Sequence, residues 1–471
     1  MDEASNSGAD VAASPSPPPS TVRNALVAAT MFVGRAVFAF GAAAIVAQSL
    51  GADGRGRVVF ISNLAGLLAL AASSGTATGI NRLHAASRAS STVLTRAAVV
   101  VGVIAGVIVC AVLLAVRPLL ADESIDVTET PLVGWALLAV ALVALIVFSN
   151  LSQVAALENR LGAVTVTALV GASWYVAWTV VTALNDSITV LNNLVGWAIS
   201  SILPTVLLTV TMLRRPASEP TRPLRAPRPP VALATLVREL AAVSLRANIA
   251  GLAILAIWRI DVLLVESRRG FAELGLYSVA VAVAEVVVVL AMALRSAMLP
   301  HHGGEDDNLV EVIMRTTRVA LVVTTGLAVG LAAVGPLLLG PLFGSGYAQT
   351  YPALVLLLPG TVFLVLHYPL FDYVAARGNL GSLTLLGVVS LLFNIVVNYW
   401  ALGRWSYVAA AVVSSLTYAL VFFGCVRLFL LRSGRSVRDT LVIRRSDLDA
   451  VVELARGADR GRFRPRVRDQ S

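Results

Sequence analysis

Long apolar runs recur through this chain and constrain its fold more than any other feature. A membrane-spanning helix needs about 20 mainly apolar residues. Such runs lie near residues 24–50, 58–81, 95–116, 131–155, 162–184, 188–213, 240–265, 274–298, 317–343, 350–375, 380–402 and 407–431. They lack the in-out alternation of barrel strands. With 57% hydrophobic residues and a mean hydropathy of +0.83, they predict an all-α polytopic membrane protein of about twelve transmembrane helices.

A basic, proline-rich segment, RRPASEPTRPLRAPRPP, divides these runs into two sets of six. Such a composition favours an extended linker over a packed helix. We therefore expect a tail over 1–22, an N-terminal lobe over 23–213, a linker over 214–239, a C-terminal lobe over 240–431 and an arginine-rich tail over 432–471. The hexapeptides GADGRG from Gly51 and GFAELG from Gly270 follow the first helix of each half, which indicates a parallel internal repeat.

Arginine determines the predicted orientation, because all 36 basic residues are arginine. If the N-terminus lies inside, fourteen arginines before the C-terminal tail fall on the cytoplasmic side and six on the opposite side, including Arg55 and Arg57 in an outer loop. The bias predicts that both termini lie in the cytoplasm. The arginine-rich C-terminal tail is expected to contact anionic membrane lipids.

Four arginines fall within the predicted spans. Arg246 and Arg295 lie near cytoplasmic helix ends, where a long side chain can reach the head groups. Arg35 lies in the middle of the first span and Arg259 in the outer half of the seventh. A charge at the bilayer centre costs about 2.5 kcal/mol or more, so these two are expected to face a cavity or a partner.

Acidic and polar side chains accompany Arg259 in the second half. At about 100° per residue, Ser244 and Asn248 share its helix face. Asp261 points some 200° away and cannot pair with Arg259 on a regular helix. Either the helix is irregular or the two residues have different partners. Glu285 follows on the next helix.

A further polar stripe includes Asn394 and Asn398. These polar groups either hold helices together or line a cavity.

Catalysis requires features that the sequence lacks. The outer loops are short, the four histidines have no metal-ligand spacing, and no GxxxxGK[ST] motif occurs. We therefore predict no enzymatic activity, no cofactor, no metal site and no nucleic-acid partner, which leaves a transporter as the main interpretation.

Three stretches resemble the polysaccharide flippase family. VAQSLGADGRGRVVFISNLAGLLALAASSGTATGINRL is similar to that family's first helical hairpin, and LENRLG suits its fourth cytoplasmic turn. DVLLVESRRGFAELGLYSVAVAVAEVVVVLAMALRSAMLP resembles its run of an aspartate, paired leucines, a Gly-Tyr-Ser segment and a closing proline. One departure is Gln48, where a basic residue is common.

The resemblance implies the multidrug, oligosaccharidyl-lipid and polysaccharide (MOP) exporter superfamily, with two six-helix lobes around a central cavity. It implies a flippase in the bacterial cytoplasmic membrane that moves polyprenyl-diphosphate-linked oligosaccharide, together with glycan polymerases or glycosyltransferases as partners. Guanidinium groups bind phosphate oxygens in pairs and keep their charge. The expected substrate-binding residues are Arg35, Arg259, Ser244, Asn248, Asn394 and Asn398, and the residues for charge balance or proton coupling are Asp261 and Glu285.

Three alternatives remain open. The first is a drug or cation antiporter of the same superfamily. The second is a major-facilitator transporter, although GADGRGR lies between helices one and two, whereas the similar signature of that class lies between two and three. The third is a non-transporting membrane scaffold that recruits glycan enzymes.

Overall fold

The computed structural model describes residues 19–85, 91–116, 131–214, 232–298, 306–378, 380–445 and 447. These residues form helices and short turns. The helices are α1 (Pro19–Ala85), α2 (Ser91–Val116), α3 (Pro131–Leu157), α4 (Leu161–Leu184), α5 (Val190–Arg214), α6 (Leu233–Ala256), α7 (Ile260–Met298), α8 (Asp306–Phe343), α9 (Tyr351–Ala376), α10 (Leu380–Leu402), α11 (Val408–Ser433) and α12 (Val437–Leu441). The prediction of an all-α polytopic membrane fold is confirmed for this part of the chain.

Two of these helices reverse direction at a single glycine. Gly51 in α1 and Gly270 in α7 have φ of 65° and 81°, in the left-handed region that glycine tolerates. Arg55 Nη1 donates to the carbonyl of Ala43, twelve residues earlier, at 2.6 Å. A continuous helix would separate these residues by about 18 Å. The sequence predicted loops at both places, but the structure has only a turn, so each of α1 and α7 forms two antiparallel limbs.

Ten segments of the described residues are long and apolar enough to span a membrane. Two of them, Val33–Ser73 and Ile260–Val289, contain a reversal. Counting both limbs of each, with the short first limb of α7 taken together with α6 as one crossing, gives the number of crossings that the sequence predicts. We call the membrane face that contains Gly51 and Gly270 the turn face. The opposite face, where α5 ends and α6 begins, is called the linker face.

The two halves pack against each other reciprocally at the turn face. A Cβ placed on Gly56 would lie 1.9 Å from the carbonyl oxygen of Phe271, and one on Gly275 would lie 1.8 Å from that of Ala52. Each contact joins the last glycine of one hexapeptide to the residue after the first glycine of the other. The two hexapeptides therefore meet with local two-fold symmetry, and only glycine allows so close an approach of the backbones.

The halves also meet at the linker face, through α6. Leu236 and Leu240 of α6 are fully buried in a cluster with Ile80 and Leu83 of α1 and Leu94 of α2. The seventh predicted span is not one helix, because it is interrupted between α6 and α7 at residues 257–259. The α6 part packs on the first half of the chain, whereas the part that follows belongs to the second half.

The C-terminal segment packs on the linker-face end of α8. Arg318 and Asp447 are both buried, and Arg318 Nε donates to Asp447 Oδ2 at 2.8 Å. Arg318 also donates to the carbonyl of Asp439 at 2.5 Å. The hydrogen bond from the Ser436 hydroxyl lowers the pKa of the exposed Asp439 carboxyl below its usual value, and the positive charge of Arg444 adds a smaller effect in the same direction. The start of the predicted tail is therefore anchored to the second half of the protein.

Candidate functional site

The break between α6 and α7 lies within the seventh predicted span, beside two charged residues. Helix α6 ends at Ala256, the Arg259 amide donates to the Ala256 carbonyl at 3.1 Å, and α7 begins at Ile260. Arg259 is therefore the last residue of the interruption, and Asp261 lies in the first turn of α7. The sequence left open whether this helix is irregular or whether Arg259 and Asp261 have different partners. The structure shows both.

Arg259 forms an ion pair with Glu285, on the second limb of α7. The distance from Arg259 Nη2 to a Glu285 carboxylate oxygen is 2.9 Å. Their side chains are 32% and 39% exposed, respectively. Asp261, Tyr277 and Tyr418 lie within electrostatic range of this guanidinium. The pair is thus partly exposed, with polar side chains of α7 and α11 nearby.

Asp261 lies in a buried hydrogen-bond network. Its carboxylate accepts from the Tyr277 hydroxyl at 2.5 Å, the Ser414 hydroxyl at 3.2 Å and the Val262 amide at 2.9 Å. These bonds join both limbs of α7 to α11. Asp261 is only 3% exposed, so these bonds satisfy the carboxylate within the protein.

Arg35 lies on the first limb of α1, and its side chain is exposed. The adjacent Gly34 packs against Leu169 of α4. Ser244 is 9% exposed and lies beside Gly79 of α1 instead of in open space. The side chain of Asn248 lies outside the described part of the structure.

Asn394 and Asn398, which the sequence analysis assigned to substrate binding, lie in the interior of the protein. Both are fully buried. Asn394 Nδ2 donates to Thr417 Oγ1 of α11 at 3.1 Å, and Asn398 Nδ2 donates to Asn394 Oδ1 at 3.0 Å. The stripe therefore joins α10 to α11. Helical periodicity identifies a polar face, but it does not show whether a helix or a cavity lies opposite.

Sequence reasoning missed Arg55, which it had placed in an outer loop. Arg55 is 3% exposed and lies between the two halves, with its Nε donating to Ser278 Oγ at 2.8 Å. The residue at the same place in the second hexapeptide is Leu274, which is fully buried. Aligning the two hexapeptides would have revealed that Arg55 occupies a position where its counterpart is apolar.

No family model and no curated protein matches this chain. Several solved structures do match it. The lipid II flippase MurJ in an inward closed conformation has a TM-score of 0.69 and 11% identity, with 93% of this chain and 94% of that chain covered. An inward-facing multidrug resistance transporter of the MATE family, in the MOP superfamily, has a TM-score of 0.65 and 14% identity, with 88% and 100% covered.

A MOP superfamily transporter from Pyrococcus furiosus, described as having reversed polarity of its binding pocket, has a TM-score of 0.57 and 13% identity, with 88% of this chain and 96% of that chain covered. The chain therefore has the fold of the MOP superfamily. At these identities, the likeness concerns the fold.

Proposed function

We propose that this protein translocates polyprenyl-diphosphate-linked oligosaccharide across the bacterial cytoplasmic membrane by alternating access. The observation that carries the proposal is the accessible Arg259–Glu285 pair within the spans. Arg259 offers a permanent positive charge and a planar set of donors, which suit a diphosphate. Its partner is an acid that an anionic ligand can displace.

The fold comparisons support the proposal at the level of class. One similar structure is a lipid II flippase, and others are multidrug transporters of the same superfamily. The arginine bias assigns the linker face to the cytoplasm, with both termini there. The ligand would then move from the linker face to the turn face, and anionic lipids and glycan-assembling enzymes are the proposed partners.

Arg35 and Arg259 are the proposed diphosphate contacts, one from each half. Charge-assisted hydrogen bonds contribute about 1.5–3 kcal/mol each. In purified, monodisperse protein, Arg35→Ala or Arg259→Ala should therefore weaken binding of a polyprenyl diphosphate by roughly tenfold or more. Lysine should restore only part of the affinity, because it retains the charge without the planar fork.

Arg404→Ala is the matched control, because Arg404 is exposed at the turn face and stacks on Trp400. It should leave the affinity unchanged. Wild-type affinity in both the Arg35 and Arg259 alanine variants would refute the assignment of these residues.

Glu285 is proposed to balance Arg259 in the empty protein and to couple transport to an ion gradient, with Asp261 as the other candidate. A partly exposed ion pair contributes about 0.2–1 kcal/mol. Glu285→Gln should therefore strengthen diphosphate binding by roughly 1.5- to 5-fold and weaken the dependence of transport on the gradient. Equal transport by the neutral Glu285 and Asp261 variants, with the gradient intact and collapsed, would assign both acids to structural pairing.

A drug or cation antiporter is the second candidate, because the partly exposed carboxylate of Glu285 could bind a cation. The same binding measurement separates the two functions. Tighter binding of a lipophilic cation than of the lipid diphosphate would favour the antiporter.

A further inference from the structure

Arg55 lies buried in the contact between the two halves at the turn face. Its guanidinium makes three contacts: with the Ala43 carbonyl at 2.6 Å, with Ser278 Oγ at 2.8 Å, and with the ring of Phe343 at 5.9 Å. It forms no ion pair with a carboxylate of the described residues. Only the Ala43 contact comes from its own half.

Burying a charge without an opposite charge is expensive, even when hydrogen bonds satisfy part of it. Arginine has five N–H donors, and the contacts above use Nε and one terminal nitrogen. Packing does not demand this charge, because fully buried Leu274 fills the equivalent position in the second half. A cation that the closed interface does not require points to a role in another state of the protein.

Separation of the halves at the turn face would change the surroundings of Arg55. Its contacts with Ser278 and Phe343 would break, along with the bond from Gln48 Nε2 to the Leu342 carbonyl at 2.7 Å. The Ala43 contact would remain, since the first two limbs move together. The guanidinium would then face the opened space with most of its donors free.

We propose that Arg55 is an exit site for the anionic head group, where phosphate oxygens replace Ser278 and Phe343 once the turn face opens. This inference rests on the proposed function, and it adds a second station for the diphosphate after Arg259. Because the ligand would bind Arg55 only in the open state, it would shift the equilibrium towards that state. The same side chain would hold the turn face closed when the site is empty.

The test requires protein that is locked with the linker face closed. Gly79→Cys and Ser244→Cys provide the lock, since a Cβ on Gly79 would lie 3.1 Å from Ser244 Oγ. Across a disulfide, Cβ and the far sulfur are about 3.0 Å apart, given an S–S bond of ~2.04 Å. The probe is a short-chain polyprenyl diphosphate, and its affinity is measured for purified locked and unlocked protein in nanodiscs.

We expect Arg55→Ala and Arg55→Gln to weaken binding to the locked protein by at least tenfold, and Arg55→Lys by less. Neither of two controls should weaken binding by more than twofold. Ser278→Ala removes the closed-state partner but keeps the cation, and Arg57→Gln removes a nearby charge that pairs with Asp53. Arg55→Gln keeps amide donors. If the alanine variant does not fold, the affinity of Arg55→Gln is compared with that of the parent instead.

Three results would overturn the inference and leave the proposed function intact: unchanged affinity in the Arg55 variants, an equal loss in Ser278→Ala, or binding by unlocked but not by locked parent protein. The second result would mean that Arg55 only seals the interface. If neither parent protein binds the probe, the proposed function and the exit site both fail.

Discussion

At the scale of single residues, burial and hydrogen bonding separate two kinds of polar group within the spans. Asp261 and Asn394 are buried and bonded to side chains of a neighbouring helix. Arg259 and Glu285 pair with each other and remain partly exposed. A group whose hydrogen bonds all end within the protein has little left to offer a ligand, so the accessible pair is the stronger candidate for binding.

The role of Asn394 follows from its contacts. Interhelical side-chain hydrogen bonds in membranes contribute about 0.6 kcal/mol on average and at most about 1.7. Asn394→Ala should lower the free energy of unfolding by about that much and leave diphosphate affinity unchanged. Chemical unfolding in detergent measures the first quantity. Thr384→Val, at a partly exposed position of α10, is the control and should have little effect. Lost binding with normal stability would return Asn394 to the cavity.

At the scale of helices, glycine determines where the halves meet. Gly51 and Gly270 allow the reversals, and Gly56 and Gly275 allow the backbones to touch. The interruption between α6 and α7 does not depend on a glycine or proline at residues 257–259. It leaves α6 packed on the first half, while the segment after it packs in the second.

Gly275→Ala should weaken the closed contact at the turn face. Its Cβ would meet the Ala52 carbonyl oxygen at 1.8 Å, so the two limbs must separate by more than 1 Å. Overpacking of this kind costs about 1–3 kcal/mol. In a variant that carries Ser278→Cys, we expect labelling by an impermeant thiol reagent to rise by roughly fivefold or more. Gly41→Ala is the matched control, because nothing lies within 4 Å of its added Cβ. Equal labelling in both variants would contradict the prediction.

The α6 contact at the linker face predicts a reversible lock. Cysteines at 79 and 244, with the free cysteines Cys110 and Cys425 replaced by alanine, should form a disulfide and stop transport. Reduction should restore transport, because the cross-link blocks the movement and leaves Arg35 and Arg259 unchanged. Each single cysteine variant should transport under both conditions. Full transport by the oxidised double variant would show that α6 need not leave the first half.

At the scale of the whole molecule, the halves touch at both faces. Gln48–Leu342 and Arg55–Ser278 contacts join them at the turn face, and the buried leucines of α6 join them at the linker face. Alternating access requires one set of contacts to open while the other holds. The turn-face set combines hydrogen bonds and glycine contacts with aromatic pairs such as Phe60–Phe271 and Phe40–Phe343, whereas the linker-face set is apolar. Polar bonds therefore contribute to closing the turn face.

The prediction for the whole molecule concerns which of its two faces lies in the cytoplasm. Helix alternation places the end of α2 and the start of α3 at the turn face, and the end of α5 and the start of α6 at the linker face. With both termini in the cytoplasm, a single cysteine at residue 125 should react with an impermeant thiol reagent from outside, and one at residue 225 only after the membrane is permeabilised. The opposite pattern would reverse the assigned direction of transport.

The sequence by itself determined the class of fold, the number of spans and the repeat. Each depends on local composition: apolar length sets a span, and Gly-x-x-x-x-Gly recurs at equivalent places. It also identified Arg35, Arg259, Asp261 and Glu285 as costly charges within the spans, because the bilayer penalises charge wherever the chain folds.

Only the tertiary structure decided which groups pair. Arg259 meets Glu285 across the reversal at Gly270, and Asp261 meets Ser414 of α11, which lies 153 residues away. Arg55 changed from a loop residue to a buried cation because the turn at Gly51 is a single residue and the other half covers it. Periodicity shows which side chains share a helix face, but the neighbour of that face is set by the packing of distant segments, and packing determines whether a polar group is bonded or open to a ligand.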